Sequence, residues 1–123
     1  MNKKIAVIED DLAIASMYEF KLKTSGYEVV VALDGKNGLA AIKAFVPDLI
    51  LLDIMMPEMT GDKLLEKLRA TDWGKAIRVV VLTNVSEDEA PEDLNKFNVD
   101  RYILKAHHTP TQVLKIVREV LGE

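Results

Sequence analysis

Cysteine is absent from the 123 residues, which excludes disulfides, thiol catalysis and any thiolate metal site. No apolar stretch approaches the ~20 residues that a membrane span requires, so no membrane partner is expected. No basic cluster stands out either. Sixteen Lys and Arg face 20 Asp and Glu, for a net charge of −4, a balance that argues against direct nucleic-acid binding. Neither a P-loop nor a GxGxxG sequence occurs, which leaves nucleotide-binding enzymes of those kinds poorly supported. Repeats, linkers and low-complexity segments are missing too. A first strand starting at about Lys4 leaves no room for a signal peptide, and a cytoplasmic location is the expectation.

Hydrophobic residues at 49% and charged residues at 29% are ordinary for a globular chain. The length fits one domain, residues 1–123, able to bury ~65–70% of its unfolded surface. Four apolar runs share one habit. Leu49-Ile50-Leu51-Leu52 ends in Asp53, Ile5–Ile8 in Glu9-Asp10-Asp11, Val79–Leu82 in Thr83, and Tyr102–Leu104 in Lys105. Fully apolar runs of this length mark strands buried on both faces of a parallel sheet. Parallel strands end along one edge, and open α/β sheets bind ligands outside that edge. A carboxylate cluster, a hydroxyl and an ammonium are therefore expected to converge.

Strand and helix patterns alternate along the whole chain. Lys4–Ile8 reads as a strand, and Asp11–Thr24 as a helix stopped by Ser25-Gly26. Tyr27–Ala32 alternates enough to be a less buried strand. Asp34 caps a helix through Phe45, which Pro47 keeps from continuing. Leu49–Asp53 and a turn precede a helix from about Gly61 to Ala70. Arg78–Leu82 is the fourth strand. A short fourth helix is expected near Pro91–Phe97, closed by Asn98 as a left-handed cap. Arg101–Leu104 is the fifth strand, and Thr109-Pro110 opens a fifth helix to about Leu121. Five βα units with right-handed crossovers predict a doubly wound α/β domain with helices on both faces. In the first helix Ile14, Met17, Tyr18 and Leu22 form a stripe facing the sheet. Leu12 and Phe20 fall off that stripe.

Carboxylates on neighbouring strands, ~5 Å apart, raise one another's pKa or require a cation. A hard divalent ion such as Mg²⁺ answers that need with carboxylate and phosphate oxygens. A carboxylate beside Mg²⁺ can attack phosphorus to give an aspartyl phosphate. Charge on the phosphoryl oxygens can then be shared by the ion, Lys105 and Thr83.

Four fragments carry a resemblance to a known family: Ile8-Glu9-Asp10-Asp11, Leu52-Asp53-Ile54-Met55-Met56-Pro57 with Gly61 eight residues after the aspartate, Leu82-Thr83, and Tyr102-Ile103-Leu104-Lys105. In this order and spacing they resemble the response-regulator receiver domains of two-component signalling, over essentially the whole chain. The resemblance implies a CheY-like, flavodoxin-like sheet of order 2-1-3-4-5 with five helices. It implies that Asp53 accepts phosphoryl from a phosphohistidine on a sensor histidine kinase or histidine phosphotransfer protein. It implies Mg²⁺ held by Asp10, Asp53 and the backbone carbonyl of Met55, with Glu9 helping through water. Thr83 would move toward the phosphoryl group and Tyr102 would rotate inward behind it. Leu12 and Phe20 become candidate contacts for the kinase's helical hairpin. An output protein or self-dimer would use the face built by helix four, strand five and helix five, and no output domain is expected in this chain.

The chain departs from the family pattern in several places. Ala106 follows Lys105 where proline is usual; a cis bond before a non-proline residue costs ~3–4 kcal/mol, so a trans bond is expected. Asn84 replaces a small residue. Met55 and Val85 are apolar where side chains often position the hydrolytic water, which implies slow self-dephosphorylation. Pro91 conflicts with a capping box at Ser86-Glu87-Asp88-Glu89, so an irregular Ser86–Ala90 and a regular helix only from Pro91 are expected.

Blander readings stand beside these. Asp11 serves as the first helix's cap, His107 and His108 as solvated loop residues, Trp73 as a lid on local apolar surface, and the five methionines as core filler. Two other functions compete with the phospho-acceptor, which would catalyse only its own phosphorylation and slow dephosphorylation. One is a pseudo-receiver used for docking. The other is a small Mg²⁺-dependent phosphatase, disfavoured because Met55 stands where such enzymes often carry a general acid.

Overall fold

Valine, isoleucine and leucine dominate five short segments that pair side by side, all parallel, in a computed structural model that describes residues 3–90 and 92–123. They are β1 (Lys4–Ile8), β2 (Glu28–Ala32), β3 (Leu49–Leu52), β4 (Arg78–Thr83) and β5 (Arg101–Leu104), in the order β2-β1-β3-β4-β5. The central strand β3 is buried at every position, whereas β2, at the edge, is only half-buried over Val29–Val31. This is the contrast expected between a strand covered on both faces and one at the rim.

Alternate side chains of each strand feed two separate cores. On one face Ala6, Ile8, Ile50, Leu52, Val79 and Val81 pack with α2 (Gly35–Phe45) and α3 (Gly61–Arg69). On the other, Ile5, Val7, Leu49, Leu51, Val80 and Leu82 pack with α1 (Leu12–Thr24) and α4 (Pro110–Val120).

The caps fall where the sequence places them. Asp11 accepts from the Ile14 N–H and Asp34 from the Asn37 N–H. Thr109 and Gln112 form a reciprocal capping box with Pro110 at the start of α4. Gly26 adopts φ +99° just past α1, a conformation glycine reaches without a Cβ clash. Asn98 is left-handed at φ 52°. No peptide among the described residues is cis, so the Lys105–Ala106 bond is trans as expected.

Two expectations are corrected. Four α-helices are present among the described residues, not five. In place of a regular fourth helix there are 3₁₀ turns over Glu87–Glu89 and Glu92–Phe97, while Pro91 itself lies outside the described residues. Five acidic residues lie between Glu87 and Asp93, and like charges at helical spacing disfavour an α-helix. The stretch also offers little to pack: Leu94 is buried and Phe97 half-buried, at the three-residue spacing that a 3₁₀ turn eclipses.

The second correction concerns α1, which turns Ala15, Tyr18 and Leu22 inward and leaves Met17 39% exposed. Ala15 sits at the centre of the buried stripe, so weighting the larger side chains displaced the reading toward Met17. The methionines divide likewise. Met56 is core filler, but Met55 and Met17 are exposed. Trp73 is half-buried against the α2–α3 core, as a lid would be.

Arg69, at the end of α3, has a structural role that the sequence reading missed. Its guanidinium donates to the carbonyls of Phe97 and Ile77 at 2.8 Å, Gly74 at 2.8 Å, Lys75 at 3.2 Å and Asn98 at 3.1 Å. A planar fork with five N–H donors suits this role. It ties the α3–β4 and β4–β5 connections together at the edge opposite the strand ends discussed below.

Candidate functional site

Register decides which side chains meet. Ile8 pairs with Leu52, so the next residues, Glu9 and Asp53, lie side by side at the C-terminal edge. Leu52 pairs with Val81, two residues before Thr83, and Thr83 pairs with Leu104, the residue before Lys105. The Asp53 N–H donates to the Ile8 carbonyl at 3.0 Å and locks the junction.

The resulting cluster is acidic and mostly buried. Glu9 is 4% exposed, Asp53 5% and Thr83 0%, while Asp10 faces solvent. Glu9, Asp10 and Asp53 can each offer an oxygen within 4.8 Å of the others. Hard oxygen donors so grouped, with one open to solvent, fit a divalent ion of the Mg²⁺ kind. Lys105 reaches across from the end of β5, donating to Glu9 and, at 3.3 Å, to Asp53. Neither histidine joins the cluster: His107 is exposed, and His108 holds Nδ1 3.3 Å from the Leu104 carbonyl.

Burial drives the electrostatics. Removal from water raises the Glu9 carboxyl to about 7, with Asp10 and Asp53 adding to the effect and Lys105 and the Asp11 N–H opposing it. Burial works against the Lys105 ammonium, but the Glu9 and Asp53 carboxylates outweigh it and raise its pKa. Beneath the cluster the buried Tyr18 phenol is pushed up to about 12 by burial and by Glu9.

The loop after β3 is tightly seated. The Met55 N–H donates to Asp53 Oδ1 at 3.2 Å, and the Met55 side chain is 59% exposed. A Cβ on Gly61 would lie 2.6 Å from the Asp53 carbonyl oxygen, so α3 can start against the Asp53 backbone only with glycine there. On the far side of the cluster, the Val85 N–H points to the Thr83 hydroxyl at 3.4 Å. Tyr102 is half-buried, and its hydroxyl donates to the Val85 carbonyl. One residue's backbone thus connects Thr83 with Tyr102.

Every residue expected at the edge is in it, but one pairing was missed. Glu9 and Lys105 make a direct ion pair between residues at the ends of β1 and β5, and sequence spacing gives no signal of it. Leu12 and Phe20 lie outside the cluster on the outer side of α1, 64% and 71% exposed.

A sequence model of the response regulator receiver domain matches residues 5–118. The chain is 31% identical, over 98% of its length, to the alkaline phosphatase synthesis transcriptional regulatory protein PhoP of Bacillus subtilis, and it covers 49% of that protein. It thus spans about half the length of that relative. Among solved structures it resembles the CheY-like response regulator receiver domain protein of Methanospirillum hungatei, with 32% identity, a TM-score of 0.88 and coverage of 99% and 95% of the two chains. It also resembles the chemotaxis protein CheY4 of Vibrio cholerae, with 27% identity, a TM-score of 0.89 and coverage of 98% and 99%.

Proposed function

Since the chain belongs to the response regulator receiver domain family of two-component systems, we propose that it is a phospho-accepting switch with Asp53 as its acceptor. The observation that carries this reading is the placement of Asp53 among Glu9, Asp10, Thr83 and Lys105, with the lysine ammonium 3.3 Å from Asp53 Oδ2. The phosphoryl group would come from a phosphohistidine on a sensor histidine kinase or histidine phosphotransfer protein. An Asp53 oxygen forms the new O–P bond as the P–N bond breaks, and the departing imidazole nitrogen keeps the electron pair.

Asp10, Asp53, the Met55 carbonyl and, through water, Glu9 are the groups that would hold Mg²⁺, which when bound supplies charge stabilisation to the phosphoryl oxygens. Lys105 and the Thr83 hydroxyl offer further positive charge and a hydrogen-bond donor to the same oxygens. Thr83, whose hydroxyl accepts from the Val85 N–H and can still donate its own hydrogen, would turn toward those oxygens to do so. Because Tyr102 grips the carbonyl of Val85, the turn is passed on to the β4–β5 connection, biasing an equilibrium between two arrangements. An output partner, or a second copy, would read the surface made by that connection, β5 and α4. Leu12 and Phe20 would meet the kinase.

The test is intact-protein mass after incubation with Mg²⁺ and a small-molecule phosphoryl donor, beside Asp53→Asn. One phosphoryl group on the wild type alone is expected. No addition to the folded, Mg²⁺-supplied protein overturns the reading in favour of a docking-only receiver.

A further inference from the structure

The N-terminal ends of the strands form a second edge, away from Asp53. Register sets Arg78 beside Leu49 and Leu49 beside Ile5, so the residues that lead into those strands, Lys3, Asp48 and Arg78, share that edge. Asp100, just before β5, joins them by donating its N–H to the Val79 carbonyl at 2.8 Å. Two cavities open there, of about 300 Å³ and about 330 Å³. Ala76, Ile77 and Arg78 line both, so the two abut as one cleft. Each is at the lower end of the ~300–1,000 Å³ that small-molecule sites occupy.

The halves differ in chemistry. Arg69, Lys75, Arg78 and Asp100 line the first. Pro47, Trp73, Ile77 and Leu121 give the second an apolar lining, with Lys3 and Asp48 beside it. Among the described residues, four cations and two carboxylates therefore line the cleft, a local positive excess in a chain of net charge −4. Both carboxylates are tied to backbone: Asp48 accepts from the Lys4 N–H at 2.8 Å, and Asp100 from the Val79 N–H at 2.9 Å. Arg69 and Lys3 donate to neutral carbonyls and keep their charge. Arg78 reaches Asp100 through one nitrogen at 3.4 Å, and Lys75 meets the fully exposed Asp72 at 3.2 Å. Exposed pairs of this kind hold weakly.

We propose that this cleft binds a small molecule that joins a planar aromatic ring to a phosphate group, the chemistry of a mononucleotide. Arg78 forks onto two phosphate oxygens, and Lys75 swings from Asp72 to add a third contact. The ring lies on Trp73 in the apolar half, where stacking tolerates any ring with a π-face. Trp73 is braced for this, because it packs against the α2–α3 core and lines the cleft as well. Side-chain cations here replace the glycine-rich backbone loop that the sequence lacks. The cleft shares no residue with the Asp53 cluster, so it stands whether or not Asp53 accepts a phosphoryl group.

Trp73 is the single tryptophan, so its fluorescence reports on the cleft in the unaltered full chain. With divalent metals chelated, AMP is expected to quench it saturably and inorganic phosphate to compete. Adenosine should bind roughly tenfold more weakly than AMP, as loss of the charged hydrogen bonds implies. Arg78→Gln, at an exposed position, should weaken AMP by a similar factor and leave adenosine unchanged. Trp73→Leu keeps an apolar side chain on the core and should also weaken AMP roughly tenfold, followed by the amide NMR shifts of Ala76, Ile77 and Arg78. Absence of saturable quenching at millimolar AMP overturns the proposal. So do equal affinities of wild type and R78Q for AMP, equal affinities of AMP and adenosine, or amide shifts centred on the Asp53 cluster.

Discussion

Tyr102 donates its hydroxyl hydrogen to the backbone carbonyl of Val85 at 2.5 Å, joining the edge strand to the loop that leaves β4. Replacing Tyr102 with Phe removes that bond and leaves the ring. Stability is expected to fall by about 1 kcal/mol, read from urea unfolding, with faster amide exchange at Val85 and Ser86. Unchanged exchange there would mean that the hydroxyl does not hold the loop.

Gly61→Ala should damage both fold and site. Its Cβ would meet the Asp53 carbonyl oxygen at 2.6 Å and the Ile54 Cα at 2.7 Å, and backbone atoms cannot rotate aside. Overpacking of this kind costs about 1–3 kcal/mol. A lower urea midpoint should accompany slower phosphorylation at Asp53, followed by mass spectrometry.

Glu9 gives the metal-free protein a pH dependence of definite sign. Burial raises its carboxyl from 4.5 to about 7 in the folded state, so folding takes up a proton between those values. Its contribution to stability is full below about pH 4.5 and is lost as pH rises through about 7. In EDTA, the melting temperature of wild type relative to Glu9→Gln should fall between pH 5 and 8. A flat difference across that range would refute the raised pKa.

Arg69→Met should be among the most costly substitutions outside the strands. Removing the guanidinium takes the side-chain donor from the carbonyls of Gly74, Lys75, Ile77, Phe97 and Asn98. Three of these bonds are half-buried and two exposed, so each is worth about 0.5–1.5 kcal/mol, and a total loss of about 2–3 kcal/mol is expected in denaturant unfolding. Arg69→Lys should recover only part of it, since a lysine cannot fork.

The aspartyl phosphate should persist for minutes or longer after the donor is removed. Met55 is exposed and apolar two residues after Asp53, the proposed acceptor, and Val85 is apolar beyond Thr83, so neither side chain can orient a water. Met55→Glu should shorten the lifetime, as measured by decay of the phosphorylated mass. Loss from the wild type within seconds would contradict this.

The strand ends were legible because unbroken apolar runs leave little choice of structure, and the first polar residue after each run falls on the shared edge. Glu9, Asp53, Thr83 and Lys105 all followed from that. Asn98 and Thr109 were legible because left-handed backbone and helix starts favour particular side chains. Three features were not readable. Ala15 is too small to announce a buried face, Arg69 bonds to carbonyls that carry no sequence signature, and the Glu9–Lys105 pair joins residues 96 positions apart. The 3₁₀ turns over Glu87–Glu89 and Glu92–Phe97 lie between: proline pointed to an irregular Ser86–Ala90, but the regular helix expected from Pro91 onward gave way to a 3₁₀ turn.

The connection from β4 to β5 is tethered at both ends through side chains bonded to its backbone. Tyr102 holds it at Val85, and Arg69 holds it at Phe97 and Asn98. Mechanically it is a bridge on two piers of unequal strength, one hydroxyl against a forked guanidinium. Loss of the weaker pier turns the bridge into a cantilever rooted at Arg69 and at the buried Leu94, and its free end carries Asp88 and Glu89.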